Sequence, residues 1–205
     1  MRVVLFLLLM VVWLKANMGA IILIPTNGKF TAGIYGGAGY LVSRVDVTST
    51  NPALDGITLQ NDNAVAAVGG FVGVTNDYYR FSFSYDITSD PDIALQRGLM
   101  NFDYIFEMRH NVKYLFGVGF GVAMCAYDIN KKHIKQSKGL VAGRVGFQYH
   151  LQNQDSVEMM LEYSQAIINN LGKSFYETND FSTYDIKKLQ GVWLRVGYNF
   201  LFDWK

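Results

Sequence analysis

Residues 115 to 123 read LFGVGFGVA, with Gly117, Gly119 and Gly121 at every second position. Glycine-rich runs cradle phosphate when a strand ends in them and a helix begins, because successive backbone N–H groups then converge on the anion. Here the alternation continues from Tyr114 to Tyr127 and no helical period follows, so a phosphate loop is excluded. The glycines lie on one face of one strand. Other reactive side chains are sparse. His110, His133 and His150 are scattered without the spacing of metal ligands. Cys125 is the single cysteine, so neither an intrachain disulfide nor a thiolate cage forms. Catalytic residues, metal ligands and cofactor sites are all expected to be absent. His133 sits near Lys131, Lys132 and Lys135, a stretch that reads as a solvated loop.

The remaining ionisable groups are more informative, because they recur on the polar face of otherwise greasy segments. Asp103 and Glu107 alternate with Phe102, Tyr104 and Phe106. Arg144, Glu162 and Arg195 stand in the same way between apolar neighbours. A charge that is buried must be paired. Counting residues along the segments sets Arg144, Glu162 and Arg195 at similar height on three consecutive strands, with Asp103 and Glu107 opposite. An internal ion network among the five is expected.

The elements that carry these residues are strands. Period-two alternation is clearest in Asp77 to Thr88, where Tyr79, Phe81, Phe83, Tyr85 and Ile87 share one face. It returns in the segments around Asp103, Phe120, Val145, Leu161 and Val196, and two Gly/Ala-rich stretches, Phe30 to Leu41 and Ala64 to Val74, have similar length. Eight strands of roughly the 9 to 11 residues that cross a bilayer at a tilt are expected. The intervening segments alternate: long at Val42 to Asn63, Ser89 to Gly98, Asp128 to Lys138 and Asn169 to Lys188, short between them. In an up-and-down barrel, short turns then share one rim and long loops the other.

Composition agrees. Charged residues are 17% of the 205, aromatics 15%, and the net charge is +1 with no basic track, which excludes nucleic acid as a partner. Arg2 followed by the apolar stretch Val3 to Leu14 reads as a signal peptide within residues 1–20, with Ala16 or Ala20 as the cleavage residue, leaving 21–205 as one barrel. Volume decides which face is outside. An eight-stranded barrel has a lumen only wide enough for side chains to fill, so the Gly- and Ala-bearing face turns inward and the Phe, Tyr and Met face meets lipid. Tyr79, Tyr114, Tyr149, Phe200 and Phe202 then form an aromatic girdle at the short-turn rim.

The segment Arg195 to Phe202, RVGYNFLF, resembles the C-terminal signal of bacterial outer-membrane proteins, through Arg195, Gly197, Phe200 and Phe202. It departs from that pattern in the Asp203, Trp204 and Lys205 that follow the usual closing Phe. The mature chain resembles small OmpA-like and opacity-type barrels over almost all its length. That resemblance implies an all-β, eight-stranded antiparallel up-and-down transmembrane barrel in the outer membrane of a Gram-negative cell. It also implies recognition by the barrel-assembly machinery and contact with outer-membrane lipid and lipopolysaccharide. Barrel enzymes that deacylate lipid A carry a serine two residues after a histidine, whereas His150 is followed by Leu151 and Gln152. The expected role is therefore non-enzymatic, structural or adhesion-like, with Phe175, Tyr176, Phe181 and Tyr184 in the last long loop available to a surface macromolecule. A small pore or conduit is the second reading, and a lipid A-modifying enzyme the third.

Overall fold

Hydrocarbon offers no partner to a backbone N–H or C=O, so strands that cross it must bond to one another and close. The computed structural model, which describes residues 28–49, 55–89, 93–109, 111–129, 132–151, 154–174 and 183–203, shows that closure. Its strands are β1 (Lys29–Thr48), β2 (Thr58–Thr75), β3 (Tyr79–Ser89), β4 (Ile93–Arg109), β5 (Val112–Ile129), β6 (Lys132–His150), β7 (Ser156–Ser174) and β8 (Thr183–Asp203). Each is antiparallel to the next, and β8 returns to β1 from Lys29↔Asp203 to Thr48↔Thr183, so the barrel has no free edge. The signal-peptide expectation lies outside the described residues.

Around the lower wall, large apolar side chains point outward. Phe81 on β3, Met100, Phe102 and Tyr104 on β4, Phe116, Val118 and Phe120 on β5, Leu161 on β7 and Leu194 on β8 are all exposed. In water such a surface would drive aggregation; in a bilayer it is the required wall. The five girdle aromatics, Tyr79, Tyr114, Tyr149, Phe200 and Phe202, are exposed at the short-turn end, and Tyr79 stacks on Phe102.

The strands are much longer than a crossing needs. Only β3, with 11 residues, has membrane length; β1 has 20 and β8 has 21. Much of what reads as long loop is strand. Asp128 pairs with His133 and Ile129 with Lys132, so His133 belongs to β6. Arg97 belongs to β4, paired with Asp86. Strict alternation of loop length is therefore replaced by a wall that continues past the bilayer on one side.

Polarity changes sense where the wall leaves the membrane. On β8, Val192, Leu194 and Val196 face out and Arg195 faces in; nearer the loop end, Ile186 and Leu189 are buried while Lys187 and Lys188 are exposed. On β1 the same inversion buries Leu41, Val45 and Val47 and exposes Arg44. The projecting half encloses an ordinary apolar core of Leu41, Val45, Val65, Leu95, Leu99, Leu140, Leu189 and Trp193. Its outside meets water, so its inside must be the apolar side.

This division has a measurable signature. Val118→Arg, in the middle of the lipid-facing belt, should cost about 2–4 kcal/mol in urea unfolding from vesicles, and Gln96→Arg, at the upper edge of the belt between Ile87 and Met124, about 0–1 kcal/mol. Equal costs at the two positions would contradict the inversion.

Candidate functional site

The lumen is organised around rows of residues that face each other across three strands. Asp103 on β4 is in register with Gly117 on β5, and Gly117 with Arg144 on β6. Having no side chain, Gly117 lets the two charged groups meet over its backbone. Arg144 Nε donates to Asp103 Oδ1 at 2.6 Å and Nη2 donates to Oδ2 at 2.5 Å. A Cβ at Gly117 would collide with the Asp103 carboxylate. One row along, a Cβ at Gly119 would stand 2.6 Å from Asn101 Oδ1.

Two charge-balanced clusters fill the lumen. In the one nearer the short turns, Arg80 Nε donates to Asp103 at 2.8 Å, and its Nη1 and Nη2 donate to Glu158 at 2.5 and 3.2 Å. With Arg144 this makes a chain of Glu158, Arg80, Asp103 and Arg144. The second cluster closes on itself. Arg97 grips Asp86 with Nε and Nη2 at 2.8 and 3.1 Å and reaches Glu162 at 3.1 Å. Arg195 Nη2 bridges Glu162 at 2.6 Å and Asp86 at 3.1 Å. All eight side chains are buried. Planar guanidinium groups suit such forks, and their faces lie on aromatic rings: Arg97 on Trp193 at 4.0 Å, Arg195 on Tyr35 at 4.9 Å and Arg80 on Phe71 at 5.1 Å. Tyr35 also donates its hydroxyl to Asp86, and Trp193 its indole N–H to Ser164, both at 3.1 Å. Trp193 thus separates the ion layer from the apolar core above it.

Of the five charges expected to form one network, four lie inside but in two clusters. Arg144 is in register with Glu162 yet binds Asp103, while Glu162 binds Arg97 and Arg195. Glu107 is the exception. The β4–β5 register shifts between Glu107 and Arg109, and Glu107 is exposed at the short-turn rim, where water solvates it without a buried partner. Arg80, Asp86, Arg97 and Glu158 were absent from the expected set. Three of them occupy polar positions in an alternating strand and carried the needed signal; Arg97 was concealed because its segment reads as loop. Gly197 lies on β8, with Phe200 and Phe202 exposed on its outer face.

Little space remains between these groups. The void lined by Tyr35, Arg80, Arg144, Glu158, Arg195 and Asn199 measures about 20 Å³, room for roughly one water. His150 is half-buried at the short-turn rim, where desolvation and then the charge of Lys113 lower its pKa, and its Nε2 has no hydrogen-bond partner. Among the described residues no group of histidine, cysteine and acidic side chains is arranged to hold a metal. Phe175, Tyr176 and Phe181 lie outside the described residues, as does the side chain of Tyr184.

A closed wall with an apolar exterior and an ion-paired interior defines an eight-stranded transmembrane β-barrel of the outer-membrane type. Among solved structures, the chain is similar to Neisserial surface protein A (NspA), with 12% identity and a TM-score of 0.58 over 84% of this chain and 97% of that one. It is also similar to outer membrane protein AlkL, solved by solid-state NMR in DMPC bilayers, with 14% identity and a TM-score of 0.51 over 87% and 92% of the two chains. No protein-family model matches the chain, and no curated protein matches it. At such identities the likeness is one of fold.

Breaking one bond of a cluster strands its partners. Arg97→Met should destabilise the barrel by about 3–5 kcal/mol, because Asp86 and Glu162 each lose a buried counter-charge. Adding Asp86→Leu should recover part of that loss, as read by urea midpoints at constant slope. A double variant as costly as the sum of both singles would rule out the coupling.

Proposed function

We propose that the chain is an integral outer-membrane barrel with a non-enzymatic role at the cell surface, exercised through its projecting loop end. The observation that carries this reading is the sealed interior: an ion-paired layer beneath an apolar core, with about 20 Å³ of void between the charged groups. Among the described residues such an interior offers little space to a solute or a substrate, which supports a role on the outside. The projecting wall is a rigid pedestal. Between the strands that end at Ser174 and begin at Thr183, the sequence of 175–182 holds Phe175, Tyr176 and Phe181, with Tyr184 just after it, and large aromatic residues are of a type that suits contact with another macromolecule. Contact with lipopolysaccharide and assembly by the barrel-assembly machinery belong to the same reading.

The competing roles separate cleanly. In planar bilayers the refolded chain should give no channel steps above the protein-free baseline, and Glu162→Gln should give none either. Stepwise conductance in the wild type would favour the pore. Lipid A from cells with and without the protein should have identical mass spectra; a shifted mass would favour the enzyme. Cells expressing the variant with serine at positions 175, 176, 181 and 184 should bind matrix-coated surfaces about tenfold less than wild type, with the barrel still heat-modifiable. Unchanged binding would remove the aromatic loop from the proposal.

A further inference from the structure

On the inward face of β8, Arg195, Gly197 and Asn199 follow one another. Arg195 belongs to the second ion cluster, through Glu162 at 2.6 Å and Asp86 at 3.1 Å. Asn199 is tied to the first, since its Nδ2 donates to Glu158 at 3.1 Å. Four residues at a rise of about 3.3 Å set their Cα atoms about 13 Å apart. Gly197 puts no side chain into that interval, and the void of about 20 Å³ lies against it, lined also by its register partners Tyr35 on β1 and Glu158 on β7. The two clusters therefore meet at a space that holds roughly one water.

Two polar atoms at this space are unpaired. Arg195 and Asn199 line the void at 4% and 1% exposure, and among the described residues neither Arg195 Nε nor Asn199 Oδ1 has a hydrogen-bond partner. Turning the Asn199 amide over does not help, because its oxygen would then face the Glu158 carboxylate. Gly33, in register with Asn199, adds no side chain over the oxygen; a Cβ there would stand 2.7 Å from Oδ1. Leaving a buried donor and a buried acceptor unmet is costly, and the two are opposite in kind. An anion would satisfy the N–H alone and a cation the oxygen alone. Either would also bring an unbalanced charge between clusters that are already neutral. Water both accepts and donates.

We infer that the void is a binding site for one long-lived water, which accepts from Arg195 Nε and donates to Asn199 Oδ1. Its second proton has the Glu158 carboxylate and the Ser82 hydroxyl in the same lining as acceptors. The water joins the ion clusters into one hydrogen-bonded unit running from Arg144 to Arg97, and Gly197 is the residue that makes room for it. Networks of this kind strengthen their members by mutual polarisation. The site lies in the lumen and is independent of what the projecting end contacts.

The test uses the full chain refolded in detergent micelles. Oxygen-17 magnetic relaxation dispersion counts waters held longer than the micelle tumbles, and rotating-frame NMR cross-peaks separate dipolar contact from proton exchange by their sign. Wild type should show dipolar contact between water and both the Arg195 Nε proton and the Asn199 amide protons. Asn199→Leu, which removes the acceptor at similar volume, should lower the count by about one, and Ser82→Val, which fills the void from β3, should do the same. Heat-modifiable migration scores folding of both variants. The wild-type cross-peaks decide even where a variant does not fold: their absence overturns the site. An unchanged count in folded variants overturns it as well. A shift of the Arg195 Nε resonance on exchanging chloride for bromide would replace the water with an anion.

Discussion

Four arginines and four carboxylates are buried inside a barrel whose void between them has room for roughly one water, and their pairing governs much of the structure. An isolated charge in that lumen would cost several kcal/mol, so each has to meet a partner, often across an intervening strand. Meeting Asp103 over β5 requires Arg144 to pass above a residue without a side chain, which accounts for Gly117. Stacking Arg97 and Arg195 on rings requires Trp193 and Tyr35 to point inward although the rest of the large aromatic surface points out. The two clusters are each neutral.

The second organising fact is that the same strands cross two solvents. Within the belt, hydrocarbon lies outside and the polar groups turn in; beyond it, water lies outside and the apolar groups turn in. The backbone ladder is indifferent to this change, because its hydrogen bonds run along the wall in either half. Side chains record it residue by residue, as Arg195 inside gives way to Leu189 and Ile186 inside on β8. Trp193 occupies the join, with its ring on the Arg97 guanidinium and its edge among the apolar core.

A barrel filled in this manner holds its shape from within, through the ion clusters and the apolar core above them.

The sequence by itself determined the strand count, the antiparallel order, the outward face and the inward turn of the glycines. These follow from local alternation and from the small volume of an eight-stranded lumen, both of which can be read one strand at a time. Asp103, Arg144, Glu162 and Arg195 were legible as lumen charges for the same reason. Their partners were not, since pairing depends on stagger between strands: Arg144 has Glu162 beside it in register and binds Asp103 instead. The lengths of the strands were also concealed. A reader who assumes one sense of alternation stops each strand where polarity inverts, which turned Arg97 and His133 into loop residues and left Glu107 inside until a shifted register put it at the rim. Only the tertiary structure decided these points, because only there does each stretch of chain acquire a particular solvent on each side.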